Sequence, residues 1–198
     1  MELAEIDTSL VTAGAPADGG CCWVSFNLSA ALPTDATTKM STLTDFESVG
    51  DLSENGYTES KSVSSTEEKG WHGTPQIVLV DSETNKYKLE FTEVLRPTVA
   101  KIRYGSKNVQ VNEDGTIKQI SGKPTGIEYV AMVIDELMSN GWLSRTVVKK
   151  AAIDSFDDVA HNKGKRMVYG MEFTAVEVGG SCFERYFAKP ASTEASGS

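Results

Sequence analysis

Residues 55–104 read NGYTESKSVSSTEEKGWHGTPQIVLVDSETNKYKLEFTEVLRPTVAKIRY. Asn55-Gly56 is a turn signal. The run 57–68 that follows is polar and β-prone, with Ser60, Ser62, Ser64, Ser65 and Thr66 and little to bury. Such a run is a poor core element. It is either a loop or a strand with both faces away from a core, paired mainly through its backbone. After the Trp-bearing turn Lys69-Gly70-Trp71-His72-Gly73, residues 76–81 and 86–94 predict a hairpin around 82–85. In its second strand Tyr87, Leu89 and Phe91 point one way, and Lys86, Lys88, Glu90 and Thr92 the other. That period of two means one packed face and one wet face. In the first strand Ile77 and Leu79 share a face, yet Val78 and Val80 on the other are apolar too. The period then lengthens: Leu95, Val99 and Ile102 form one helical stripe. Pro97 suits the first turn and Gly105 the stop. A helix of about ten residues is marginal alone, so it must pack on the sheet.

Working outward, 21–28 predicts a strand, and 29–53 is turn-rich and polar with a short apolar piece at 46–49. Asp114-Gly115 predicts a small hairpin between 109–111 and 117–120. Residues 127–138 form the most apolar strand. Tyr129, Ala131 and Val133 lie on one face, Val130, Met132 and Ile134 on the other, and both faces want burial. Asn140-Gly141 turns it into 142–152. A polar turn over 154–166 leads to 167–178, and Gly179-Gly180 turns that strand into 182–188. Residues 1–19 are expected to form a loose arm, 20–188 a single β domain with an extended loop at 29–56, and 189–198 a tail disordered by composition. The sum is roughly seven to nine strands and one flanking helix, a mainly β chain folded as an antiparallel sandwich or barrel-like domain.

The chain has 198 residues, of which 39% are apolar, enough for one core. No apolar run approaches the ~20 residues that span a bilayer. No basic region precedes an apolar block at the start, so no secretion signal is read there, and synthesis and folding in a cytoplasm are expected. Net charge is −9, from 28 acidic and 19 basic residues. Coating nucleic acid needs clustered Lys and Arg, and Lys163-Gly164-Lys165-Arg166 is too short to supply them. Cys21, Cys22 and Cys182 are odd in number and make no framework, so reduced thiols are expected.

The search for chemistry is negative. His72 and His161 lie in polar loops, and no Cys or His falls at metal-ligand spacing from either. Nothing local supports a cysteine nucleophile. There is no Gly-x-Ser-x-Gly elbow and no phosphate-binding glycine loop. Asp154-Ser155-Phe156-Asp157-Asp158 lacks the spacing, glycine and terminal Glu of a calcium loop. No enzyme activity and no cofactor are therefore expected. Trp23, Trp71 and Trp142 admit a sugar-stacking platform, but strand-end anchoring is the simpler reading.

The order of polar strand, Trp-bearing turn, hairpin and short capped helix resembles the major tail tube proteins of long-tailed, non-contractile (siphovirus-like) bacteriophages. The likeness extends to the Ala31-Leu32-Pro33-Thr34-Asp35-Ala36-Thr37-Thr38 entry segment and to the closing strands around Tyr169-Gly170-Met171-Glu172-Phe173-Thr174-Ala175. The Cys21-Cys22 pair and the Ser-rich 60–66 depart from what the family demands. The resemblance implies a structural virion protein whose subunits close into hexameric rings. The rings stack into a tube that conducts DNA during ejection. It implies a location in the virion tail after synthesis in the host cytoplasm. It implies as partners other copies of the chain, a tape measure protein, a tail terminator and double-stranded DNA in transit without specific binding, and no membrane insertion. Under it, Glu59, Ser60, Ser62, Ser64, Thr66, Glu67, Glu68, Glu172 and Thr174 are candidate channel-lining residues. Trp71, Trp142, Leu95, Val99 and Ile102 are candidate subunit or ring contacts. The arm 1–19, the loop 29–53 and the tail 189–198 are candidates for contacts along the tube. The alternative is a virion decoration or carbohydrate-binding β-sandwich module, which would bury or pair the long polar strand within one subunit.

Overall fold

The computed structural model describes residues 7–16 and 21–189. It is mainly β, with antiparallel strands and one α-helix, as expected. The strands are β1 (Gly14–Pro16), β2 (Cys22–Ser25), β3 (Glu47–Ser48), β4 (Leu52–Lys69), β5 (Pro75–Phe91), β6 (Val109–Val111), β7 (Ile117–Ile120), β8 (Glu128–Met138), β9 (Leu143–Phe156), β10 (Tyr169–Ala175) and β11 (Glu184–Ala188). The helix α1 spans Pro97–Tyr104. Along the main sheet the order is β3-β2-β8-β9-β10-β5-β4, with β1 on β8, β11 on β9, and β6-β7 as a separate hairpin.

The centre is β8, as its two apolar faces require. Val130, Met132 and Ile134 enter the larger core with Val24, Leu89, Phe91, Met171 and Phe173. Ala131 and Val133 face the other way and meet Val147, Ala30, Met40 and Phe46. The extended loop therefore has a packing role. It carries Ala30, Met40 and Phe46 over the second face of the sheet, which would otherwise be wet. The loop is pinned from below. Arg145 is 3% exposed. Its guanidinium donates to both carboxylate oxygens of Asp135, each at 2.6 Å, and to the carbonyl oxygens of Asp35 (3.1 Å) and Thr38 (2.7 Å). The Asp35 carboxylate in turn accepts from the amides and hydroxyls of Thr37 and Thr38. Those hydrogen bonds, Thr38 foremost, hold its carboxyl well below the usual range.

The helix packs as its stripe demands, with Val99 at 0% and Ile102 at 2% exposure inside the larger core. Gly105, at φ +89°, ends it in a backbone conformation that only glycine adopts freely.

Two expectations fail around β4 and β5. Residues 82–85 do not turn. β5 runs unbroken from Pro75 to Phe91 and pairs with β4 along its length. The reversal lies at Gly70–Thr74, where Gly70 and Thr74 share a hydrogen bond of 3.0 Å and Gly73 takes φ +77°. Ser82-Glu83-Thr84-Asn85 is polar enough for a turn but lacks the glycine, and continuous pairing to β4 wins. Asn55-Gly56 is likewise no strand-reversing turn. It lies within β4, where the register moves from Leu52↔Phe91 to Tyr57↔Leu89, so that Ser53 to Gly56 bulge out opposite Glu90 alone. In the middle of the sheet β9 continues through Phe156, so Asp154, Ser155 and Phe156 belong to a strand rather than to the polar turn.

Part of the expected N-terminal arm is ordered, because β1 pairs with residues 136–138 of β8. Residues 1–6 and 17–19 of that arm lie outside the described residues, as do Gly20 and the tail beyond Lys189.

Candidate assembly interface

β5 has two neighbours, β10 along part of its length and β4 along all of it. From Lys86 to Phe91 it lies between β10 and β4, and Tyr87, Leu89 and Phe91 are fully buried. Beyond Asn85 no described strand flanks it except β4. Residues 61–69 and 75–83 thus leave the body as a bare two-stranded ribbon, exposed at every position. Nine residues at ~3.3 Å each give a reach of about 30 Å. Polar pairing of its side chains is slight: ion pairs of Lys61 with Glu83 at 2.7 Å and Lys69 with Glu67 at 3.8 Å, and a Thr66 hydroxyl donating to Asp81 at 2.8 Å.

The ribbon is polar on β4 and apolar on β5. Ile77, Val78, Leu79 and Val80 are 55%, 60%, 52% and 65% exposed, and Val63 on β4 is 51% exposed. Trp71 at the tip is wholly exposed. Successive residues of a strand face opposite ways, so this apolar run wets both faces of the ribbon. An isolated two-stranded hairpin is marginal in water, and this one carries apolar surface on both sides.

The expected channel-lining residues divide between the two faces. Register pairs Ser60 with Lys86 and Lys86 with Thr174, and Thr58 with Lys88 and Lys88 with Glu172. These residues share the wet face, and strand alternation continues it through Ser62, Ser64, Thr66 and Glu68. Glu59 and Glu67 lie on the opposite face. Glu59 pairs with Tyr87 in register and receives a hydrogen bond from Arg185 of β11, which also donates to Thr146 at 2.9 Å. Glu59 is therefore a strut between β4 and β11, not a wall residue on the wet face.

The wet face is also less acidic than the sequence suggests. Lys86 Nζ sits 2.6 Å from Glu172 Oε1, and Lys88 Nζ 2.8 Å from Asp157 Oδ2. Each lysine is held above its ordinary pKa by that hydrogen bond. Thr174 donates to Asp154 at 2.9 Å. Ser53 (2.6 Å) and Asn55 (3.1 Å) donate to Glu90 and lower its carboxyl, Ser53 the more. The face is a ladder of matched charges. Lys86, Lys88 and Glu90 alternate in the sequence, but the carboxylates that match the two lysines stand on β10 and just past the end of β9, and the donors to Glu90 stand on β4, so only the fold reveals these pairings.

Of the expected contact residues, Trp71 and Leu95 (82% exposed) are open to a partner. Val99 and Ile102 are not, because the subunit's own core takes them. Trp142 sits in the β8–β9 turn, half-buried, with Lys189 Nζ 5.3 Å from its ring. Trp23 lies in β2 against the smaller core, so the three tryptophans occupy three separate elements and build no shared platform.

Chemically active groups are sparse among the described residues. The three thiols are free. Burial pushes Cys21 up to about 11 and Cys22 well above its ordinary value, which suppresses the nucleophilic thiolate. An open groove of about 620 Å³ beside β1 and the β4 bulge carries Asp51, Glu54, Glu59 and Glu136 against Arg166. The Tyr57 hydroxyl donates to Glu136 across it at 3.0 Å. No group of three or more His, Cys, Asp or Glu is placed to hold a metal among the described residues. No described helix is long and apolar enough to cross a membrane.

In comparisons with known proteins, no family model matches the chain and no curated protein matches it.

Proposed function

We propose that the chain is a structural, self-assembling virion protein. Its copies close into hexameric rings, and the rings stack into the tail tube of a long-tailed phage. The observation that carries this reading is the ribbon over 61–69 and 75–83, which leaves the body of the subunit with apolar side chains on both faces. A subunit that worked alone would hold this hairpin at a loss. Full burial of a large aliphatic side chain contributes roughly 1.5–3 kcal/mol, and four consecutive ones await it here. An exposed strand edge and an exposed apolar ribbon are ordinarily liabilities. In a protein built to polymerise they are the adhesive.

The ladder on the wet face fits the lining of a conduit. DNA carries one charge per ~1.7 Å of axis and adheres wherever unpaired cations line up. A wall on which Lys86 and Lys88 are each matched to a carboxylate offers DNA no such row, and the chain's net charge of −9 adds a general repulsion. Tape measure and tail terminator proteins are the further partners of this reading, and DNA passes through without specific binding.

Negative-stain electron microscopy and analytical ultracentrifugation of the purified chain, alone and with tail partners, test the proposal. Rings or tubes are expected. A chain that stays monomeric at every concentration and with every partner refutes it.

A further inference from the structure

We infer that the groove between β1 and the base of β4 is a binding site for a linear organic dication of the polyamine class, an alkyl chain with an ammonium group at each end. The site belongs to the single subunit and holds whether or not copies assemble.

The floor of the groove carries unpaired groups. Directly opposed residues of paired strands share a face. Glu59 of β4 opposes Tyr87 of β5, and Glu136 of β8 opposes Ser144 of β9. Both carboxylates line the groove. Behind them Tyr87 is 0% and Ser144 2% exposed, and neither hydroxyl has a hydrogen-bond partner among the described residues. A buried hydroxyl left unpaired costs free energy, so two on one face mark a place where a partner is missing. Tyr57 converges on the same spot, where its hydroxyl donates to Glu136 Oε2 at 3.0 Å. Burial and then the Glu136 charge push its phenol above the ordinary value, with Glu59 adding to them and Arg185 opposing. Burial and then the Glu59 charge raise Tyr87 in the same way, again against Arg185. Two phenols and two carboxylates therefore meet around one guanidinium, Arg185, which is bonded to Glu59. Carboxylates only accept hydrogen bonds. The component that completes this cluster is a positively charged donor.

The rest of the groove sets the shape of that donor. Its volume of about 620 Å³ suits a small organic molecule, for which sites run from about 300 to 1,000 Å³. Asp51 and Glu54 add two carboxylates where β4 begins and bulges, and Leu52, Ala15 and Pro16 add surface on which methylene groups can lie. The buried Cys21 thiol lies within the fields of both Asp51 and Glu136, so carboxylates from β4 and β8 stand around one weakly polar patch. No three of the described acidic groups are placed to hold a metal ion, which rules out a compact cation on these ligands. Four carboxylates face Arg166 and Arg185, which leaves two negative charges uncompensated. Two ammonium groups joined by an aliphatic chain match both the charge and the lining.

Isothermal titration calorimetry of the full-length chain tests this, with 1,4-diaminobutane as the probe. 1-Aminobutane and magnesium chloride at equal ionic strength are the controls. The expected result is one site per chain that binds the diamine at least about tenfold more tightly than either control, with an affinity that falls as salt rises. Tyr87→Phe removes an unpaired hydroxyl and keeps the ring in the core. It is expected to leave the melting temperature unchanged or higher and to weaken diamine binding about tenfold, the worth of one hydrogen bond to a charged group. Asp51→Asn with Glu54→Gln alters two exposed side chains and is expected to reduce the diamine to the affinity of the monoamine. A diamine that binds no better than the controls is a diffuse counterion, and the inference fails. Parental affinity in either variant also overturns it, as does a lower melting temperature of Tyr87→Phe, because the hydroxyl then serves the fold and not a ligand.

Discussion

Arg145 is almost wholly buried and spends its guanidinium on Asp135 and on two loop carbonyls. Taking two charges out of water is costly, and breaking such a pair by removing one partner is worse, at about 3–5 kcal/mol. Arg145→Met is therefore expected to lower the urea midpoint strongly and to make the loop over 34–43 susceptible to protease. Arg145→Met combined with Asp135→Leu is expected to recover part of the loss, because no unpaired charge remains. Equal destabilisation by the single and double variants would show that the cost lies elsewhere. The sequence shows an Asp and an Arg ten positions apart, but nothing in it says that they meet across β8 and β9 beneath a loop a hundred residues earlier.

At the scale of the element, the ribbon separates stability from assembly. Its apolar residues touch little in the subunit, and substitutions at such sites usually change stability by no more than ~0.5 kcal/mol. Ile77→Lys with Leu79→Lys is expected to leave the denaturation midpoint of the free subunit unchanged and to abolish particles in the microscope. By contrast, Ile102→Ala on α1 opens a cavity in the larger core and is expected to cost about 2–5 kcal/mol. Normal particles from the lysine pair would remove the ribbon from any assembly role. The helix was legible because a 3.6-residue stripe with Pro97 and Gly105 is local information. The sequence predicts a hairpin within β5 because the polar Ser82-Glu83-Thr84-Asn85 resembles a turn, while the partner that keeps it straight, Lys61 to Ser64, lies about twenty residues upstream.

On the scale of the whole molecule, β9 is the branch point. Residues 143–147 pair with β11 and 151–156 with β10. The sheet divides there, β11 on one stretch and a wing, β10-β5-β4, on the other; the wing contributes Leu89, Phe91, Met171 and Phe173 to the larger core and ends in the ribbon. The wet face of that wing is charge-matched, so its neutrality can be broken on purpose. Glu172→Gln with Asp157→Asn leaves Lys86 and Lys88 without their carboxylates. If this face lines a conduit, assembled particles of that variant are expected to retain DNA at low salt and release it at high salt, as counterion release requires. Filter binding across a salt series reads this directly. Retention no greater than in the parent would place the face elsewhere.

Period and punctuation in the sequence by themselves determined the mainly β class, the alternation of Tyr87, Leu89 and Phe91, the double burial of β8, the helix and the small β6–β7 hairpin, because each rests on neighbours a few residues apart. The unusual polarity of 57–68 was also plain from composition. Only the tertiary structure decided that this strand and Pro75–Phe91 form one long ribbon, that Glu59 turns inward to Arg185, that Val99 and Ile102 belong to the core, and that the lysines of the wet face are cancelled. Those facts depend on which strand lies beside which. Strand pairing is a contest among distant segments for the same backbone hydrogen bonds, and no local pattern records the winner.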